Sequence, residues 1–300
     1  MKSKVLALII LYHPESSSAI KDRVDALFSN GVDHIFLYDN SQPPFDFDFP
    51  LSYSGKLSLY NFNQNNGISD SVNFSLRLAK ETGFNFLWLF DQDSYVYDKN
   101  MLSCLIDDFM SYNSSTTSCT ALIAPLIYDT ISNRFKKPLS LNLKLISDIP
   151  TTVFEVGQAI SSGMLISLDL PISDLLHDSR LFIDWVDIEF CHRLVKNHYT
   201  LLVSPRAVLN HSLGNVNISF CGITFPLRNP IRHYYMIRNA IYLILYSKAI
   251  KISAKIIFSF TVLKYLSVAF FPPRARNVFA IILAISHGFF GRMGRLNQNL

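Results

Sequence analysis

Unbroken apolar runs alternate along the chain with stripes of apolar residues at helical spacing. Residues 5–12 form one such run, closed by His13-Pro14, which predicts a strand covered on both faces and then a loop. Ser16 to Ser18 stand where a helix needs a cap. Ile20, Val24, Leu27 and Phe28 follow at helical spacing until Asn30-Gly31 stops them. Residues 34–38 and 56–61 read as two further strands, separated by an irregular stretch rich in Pro, Phe and Asp. Val72, Leu76 and Ala79 mark a helix running from Ser69 to Gly83, and Phe86-Leu87-Trp88-Leu89-Phe90 has the length of a buried central strand. The pattern continues with a helix over 101–112, a strand over 121–128, a short strand ending at Ile166, a helix from Val186 and a strand over 200–204. Alternation of this kind predicts an α/β fold with a doubly wound, mostly parallel sheet.

Composition adds a second region to this picture. Apolar residues make up 49% of the 300 residues, and 24 of them are Phe. The net charge of +4 is unevenly placed: from Arg228 to Leu300 every charged side chain is Lys or Arg. A basic, acid-free, aromatic tail suits anionic lipid headgroups, whereas its long apolar runs fit nucleic acid poorly. Lysines and Pro272-Pro273 interrupt the runs 240–246, 256–271 and 278–290, so basic amphipathic helices lying on a membrane are expected rather than a crossing. The division predicted is 1–239 for the catalytic unit and 240–300 for a membrane-associating helical extension. Cys104, Cys119, Cys191 and Cys221 lack zinc-site spacing and are expected as buried thiols of a reducing compartment. The N-terminal run has no small-residue cleavage site and is too short to span, so a cytoplasmic protein is expected.

The candidate chemistry gathers at strand ends. Asp91 and Asp93 follow the central strand directly, where ligands bind in open α/β sheets. Two carboxylates one residue apart offer oxygen ligands only, which suits Mg²⁺ or Mn²⁺ completed by water and phosphate oxygens. A surface turn capping the next helix would show the same pair. Further on, Asp184, Asp187 and Glu189 lie among large apolar residues. With a helix beginning near Val186, Asp187 falls in its first turn, where the dipole favours an anion, while Glu189 and Arg193 are spaced to pair. His211 could complete a coordination shell begun by carboxylates. Arg232 and Arg238 have the fork that matches phosphate oxygens, although snorkelling at a membrane would explain them equally. Neither a Gly-x-Gly-x-x-Gly nor a Walker loop is present, which excludes the usual dinucleotide and P-loop readings.

In order, the motifs are Leu11-Tyr12-His13-Pro14, Asp39-Asn40-Ser41, Asn65-Asn66-Gly67-Ile68-Ser69-Asp70-Ser71-Val72-Asn73 and Asp91-Gln92-Asp93-Ser94. Ser162-Gly163-Met164, the stretch from Asp184 to Arg193, His211-Ser212-Leu213-Gly214 and Tyr234 to Asn239 follow. Together they resemble the family 2 glycosyltransferases of GT-A fold, and within them the bacterial rhamnosyltransferases of O-antigen assembly. His13 and Ser69 depart from the commoner Asn and Ala. The resemblance implies an inverting transfer of a sugar, L-rhamnose from dTDP-L-rhamnose, to a polyprenyl-diphosphate-linked glycan at the cytoplasmic face of the bacterial inner membrane. It implies Asp187 as general base, with Asp184 as the alternative, and Asp93 with Asp91 and His211 around Mg²⁺ or Mn²⁺. Asp39 would face the base and ribose, and Asp91 the nucleotide. Tyr12, Asn66, Gly67, Asp70, Asn73, Gln92, Gly163, Asp184, Trp185 and Arg238 would complete the substrate site, Trp185 being equally explicable as core. A UDP-hexose or UDP-N-acetylhexosamine donor, or a non-catalytic membrane adaptor, are the alternatives.

Overall fold

The computed structural model describes residues 3–211, 217–220, 223–226 and 229–297. In chain order the first half contains β1 (Val5–Leu11), α1 (Ser17–Ser29), β2 (His34–Asp39), β3 (Leu57–Asn61), α2 (Gly67–Glu81), β4 (Phe86–Asp91), β5 (Ser94–Tyr95) and α3 (Met101–Ser115). Next come β6 (Thr120–Asp129), β7 (Arg134–Phe135), β8 (Phe154–Glu155), β9 (Leu165–Ser167), α4 (Ile172–Leu175), α5 (Val186–Lys196) and β10 (Thr200–His211). The chain continues through β11 (Asn217–Phe220), β12 (Ile223–Pro226), α6 (Pro230–Tyr246), α7 (Ile252–Leu266) and α8 (Arg274–Phe289).

The main sheet runs β3-β2-β1-β4-β9-β6-β10-β5. Its long strands pair in parallel, and short β9 is wedged antiparallel between β4 and β6. Alternation along β1 shows why both faces must be covered. Leu6, Leu8 and Ile10 pack with Val72 and Leu76 of α2 and Phe190 and Leu194 of α5. Val5, Ala7, Ile9 and Leu11 pack with Ile20 and Val24 of α1 and Leu105 and Phe109 of α3. Each fully buried Leu or Ile contributes about 1.5–3 kcal/mol, so these two layers dominate the stability of the sheet. Ser16 caps α1 as its position suggested, its Oγ accepting the N–H of Ala19 at 3.2 Å.

The strand order reverses at β1, which has β2 on one side and β4 on the other, so the crevice beyond their carboxyl ends is the place for a ligand. The parallel register sets Leu11 beside Asp39 and Ile10 beside Asp91. In the second half, β10 extends well past Ser204, crossing an irregularity between Ser204 and Val208 and reaching His211. The expected division after Asn239 falls inside α6, which is continuous from Pro230 to Tyr246. Tyr234, Tyr235 and Ile237 of that helix share a core with Tyr265, Ala280 and Ala284, so the tail helices are packed onto the unit they follow. Cys191 is buried, Cys104 half-buried and Cys119 exposed, which corrects the expectation that all are interior, and Cys221 lies outside the described residues.

Candidate active site

Asp91 closes β4, and its Oδ2 accepts a hydrogen bond from Ser162 Oγ. Gln92 Oε1 accepts the backbone N–H of Tyr12 at 2.8 Å, tying the end of β1 to the end of β4. Exposed Asp93 lies in the two-residue turn between β4 and β5. Ser94 of β5 pairs with His211 at the end of β10, so the backbone of His211 arrives one residue from Asp93. The His211 side chain and residues 212–214 of its motif lie outside the described residues. Among the described residues no group of three His, Cys, Asp or Glu side chains is gathered as a metal cage. A half-buried and an exposed carboxylate two positions apart still fit a divalent ion whose remaining ligands are water and substrate phosphate.

The second half of the site is built on a strained turn. Phe182, Asp184 and Trp185 all hold positive φ, at 65°, 61° and 66°. Left-handed backbone at non-glycine residues costs on the order of 1–3 kcal/mol each and persists only where the surroundings enforce it. Here they do. Asn239 Nδ2 donates to the carbonyls of Leu181, Ile183 and Asp184 at 2.9, 2.8 and 3.0 Å. Arg232 grips the Asp184 carboxylate with a two-pronged fork at 2.9 and 2.6 Å, and Trp185 Nε1 donates to the carbonyl of Met236 at 2.9 Å. From the opposite side, the Phe182 carbonyl accepts the N–H of Ile68 at 2.8 Å. Gly67 makes that approach possible: its φ is +76°, and a Cβ there would stand 2.4 Å from the Phe182 carbonyl oxygen.

This turn launches α5 with Asp187 in the first helical turn. Asp187 Oδ1 accepts the N–H of Ile188 at 2.9 Å. Its carboxyl is pushed up to about 6, chiefly by burial, with Asp91 and Asp184 adding repulsion and the Ile188 N–H opposing them. Asp184 is committed to Arg232, whereas Asp187 pairs with no cation among the described residues. Farther along α5, Arg193 pairs with Glu189 at 3.2 Å and donates to the carbonyls of Asp174 and Leu176, as expected of an ion pair that holds structure.

Several predicted substrate residues prove to be internal ties. Fully buried Asp39 accepts the N–H groups of Ser41 and Phe45 and the Asn61 amide, each at 2.9 Å, and so shapes the loop after β2. Asn73 exchanges hydrogen bonds with the backbone of His177 at 2.9 and 2.7 Å. Trp185, only 7% exposed, packs on Phe258 with the rings tilted by 59° and centroids 4.5 Å apart, and so is core and not a sugar platform. Arg238 is 1% exposed and donates to the carbonyls of Gly294 and Leu181, which removes it from phosphate binding. Gly163 serves packing: its N–H donates to Leu89 at 2.7 Å, and a Cβ would meet Pro125 at 2.7 Å. Asn66 hydrogen-bonds the Tyr38 hydroxyl, and exposed Asp70 accepts from Ser179. Tyr12 stays 52% exposed at the β1 end. Ser162 and Asn239 were not among the predicted site residues. Arg232, expected to meet phosphate or a membrane, turns its fork on the Asp184 carboxylate instead.

No family model matches the chain. In sequence it is 27% identical over 254 residues, 81% of each chain, to the dTDP-rhamnosyl transferase RfbF of Shigella flexneri. In structure it is similar to residues 1–349 of TarS from S. aureus in complex with UDP-GlcNAc, with TM-score 0.57, 15% identity, and 95% of this chain and 80% of that one covered. GalNAc-T7 with UDP, GalNAc and Mn²⁺ gives 0.52 at 12% identity, covering 88% of this chain and 56% of that one. Against longer TarS, the chain spans 43% of the neighbour's length, with TM-score 0.54 at 15% identity over 87% of this chain.

Proposed function

We propose that this chain, a glycosyltransferase of GT-A fold that uses a nucleotide-sugar donor, moves L-rhamnose from dTDP-L-rhamnose to a lipid-linked glycan with inversion at the anomeric carbon. The observation that carries the reading is the position of Asp187, close enough to Asp91 for their charges to interact while Arg232 holds Asp184. Asp187 takes the proton of an acceptor hydroxyl as that oxygen attacks the anomeric carbon. The bond from that carbon to the diphosphate oxygen breaks, and its electron pair leaves with the nucleoside diphosphate. A base of about 6 is ionised at neutral pH and still basic enough to accept a proton in the transition state. Asp91 and Asp93 would hold a divalent ion, Mg²⁺ or Mn²⁺, which when bound offsets the charge growing on the departing diphosphate.

The rhamnosyl choice rests on likeness to the Shigella transferase. A UDP-sugar donor is the second reading, favoured by the neighbour that holds UDP-GlcNAc. The basic, acid-free tail supports membrane contact at the cytoplasmic face of the bacterial inner membrane, where a polyprenyl-diphosphate acceptor would be presented. The test is a transfer assay offering dTDP-, UDP- and GDP-sugars with polyprenyl-diphosphate glycans, with the product anomer read by NMR. Turnover with dTDP-L-rhamnose and an inverted product are expected. Preference for a UDP-sugar would replace the donor, and retention would remove Asp187 as a simple base.

A further inference from the structure

By length and composition, the stretch Ile252–Phe270 could cross a bilayer. In this structure one face of the stretch is turned inward against the rest of the chain. Ala254, Phe258, Tyr265 and Val268 are buried along its whole length. Phe258 packs on Trp185, and Tyr265 faces His233 of α6 with ring centroids 5.7 Å apart. The opposite face exposes Ile252, Ile256, Phe260 and Leu263 at 79, 54, 66 and 62%. Neighbouring α8 exposes Phe279 and Ile282. Lys251 and Lys255 lie at the start of α7, Arg274 and Arg276 at the start of α8, and no carboxylate occurs between Asn229 and Asn297. An apolar surface whose own segment carries only cations fits an anionic bilayer, met flat, with the helix in the plane of the headgroups.

The inner face of the same helix leads to the proposed base. Phe258 presses on Trp185, the residue immediately before α5 and one of the left-handed residues of the turn. We infer that α7 couples membrane docking to turnover: its outer face seats in an anionic bilayer, and its inner face, through Phe258 on Trp185, sets the turn that carries Asp187. Phe258 is thus a positioning residue. The inference rests on the reading of Asp187 given above, but its first readout needs no donor.

The full chain is mixed with vesicles of phosphatidylglycerol or of phosphatidylcholine, and backbone hydrogen exchange is followed over residues 181–190. Release of dTDP from dTDP-L-rhamnose, with water standing in for the acceptor, is measured alongside. Phosphatidylglycerol should bind the protein, slow exchange across 181–190 and raise dTDP release about fivefold or more. Phe258→Ala should still bind these vesicles but lose both responses, and Phe258→Leu should restore part of them. Phe260→Ser combined with Leu263→Ser should abolish vesicle binding itself. Vesicle binding with no change over 181–190, or a Phe258→Ala protein that responds like the parent, would overturn the coupling. Equal binding to phosphatidylcholine would overturn the anionic docking surface. Strongest quenching of a Phe260→Trp fluorophore by lipids brominated at the chain ends would show a crossing helix instead. If dTDP-L-rhamnose fails to bind while exchange over 181–190 responds, the donor assignment falls and the coupling stands.

Discussion

The two halves of the site are held in place by different physics. Asp91 and Gln92 sit at the end of a central strand, and parallel hydrogen bonding with β1 determines where that strand stops. Asp187 sits beyond a turn whose backbone is unfavourable by itself and is enforced by a backbone N–H of α2 and side chains of α6. The strand end is rigid because its whole sheet is rigid. The turn is rigid only while each of its clamps remains, so it is the half more sensitive to distant substitutions.

That contrast can be tested from the largest effect to the smallest. Asp187→Asn should reduce turnover about 10²–10⁴-fold with donor affinity unchanged, measured by steady-state kinetics beside calorimetry. The parent enzyme should lose activity as pH falls through about 6, as Asp187 takes up a proton. Its stability carries the opposite sign. A carboxyl raised in the folded state binds more protons than the unfolded chain between its unfolded value near 3.8 and about 6, so ionisation destabilises the fold above that range. Asp187→Asn should therefore melt higher than the parent, by on the order of 1–3 kcal/mol at pH 7.5, with the gain vanishing below about pH 4.

Arg232→Met leaves the carboxylate of Asp184, only 8% exposed, without its fork. Because Arg232 is itself 37% exposed, the expected loss is about 1–3 kcal/mol, less than for a fully buried pair, with turnover falling about tenfold. Arg232→Lys should recover little, since an ammonium lacks the planar fork. Gly67→Ala breaks the other clamp and should cost about 1–3 kcal/mol in chemical denaturation, lowering turnover more than donor affinity. At the strand end, Gln92→Ala removes one hydrogen bond to Tyr12 and should cost about 0.5–1.5 kcal/mol, with the turn's hydrogen exchange unaltered. Equal sensitivity of turnover to the Gln92 and Gly67 substitutions would erase the contrast.

Sheet-borne features were legible in the sequence because a buried strand needs a continuous apolar run, as at β1 and β4, and its end can be read directly. The place of Asp187 in the first turn of α5 was legible too, since the helical period restarts at Val186. The partners of single polar residues were not. Asn73 bonds His177, 104 positions away, and Arg238 reaches Gly294, 56 positions away, so side-chain type alone could not distinguish an internal tie from a ligand contact. The continuation of β10 past Ser204 was hidden by Pro205, which reads as a stop but is accommodated at the strand's irregularity. The left-handed backbone at Phe182, Asp184 and Trp185 has no local signal, because none of these residues is Gly or Asn and the enforcing groups come from α2 and α6.

Calorimetric titration of dTDP-L-rhamnose, with and without Mg²⁺ or Mn²⁺, into the parent, Asp93→Ala and Asp187→Asn proteins separates the two halves most directly. Metal-dependent binding in the parent, its loss in Asp93→Ala and its full retention in Asp187→Asn are the expected results. Undiminished metal-dependent binding in Asp93→Ala, or a loss of donor affinity in Asp187→Asn that matches its loss of turnover, would contradict a donor site at the strand end and a separate base on the turn.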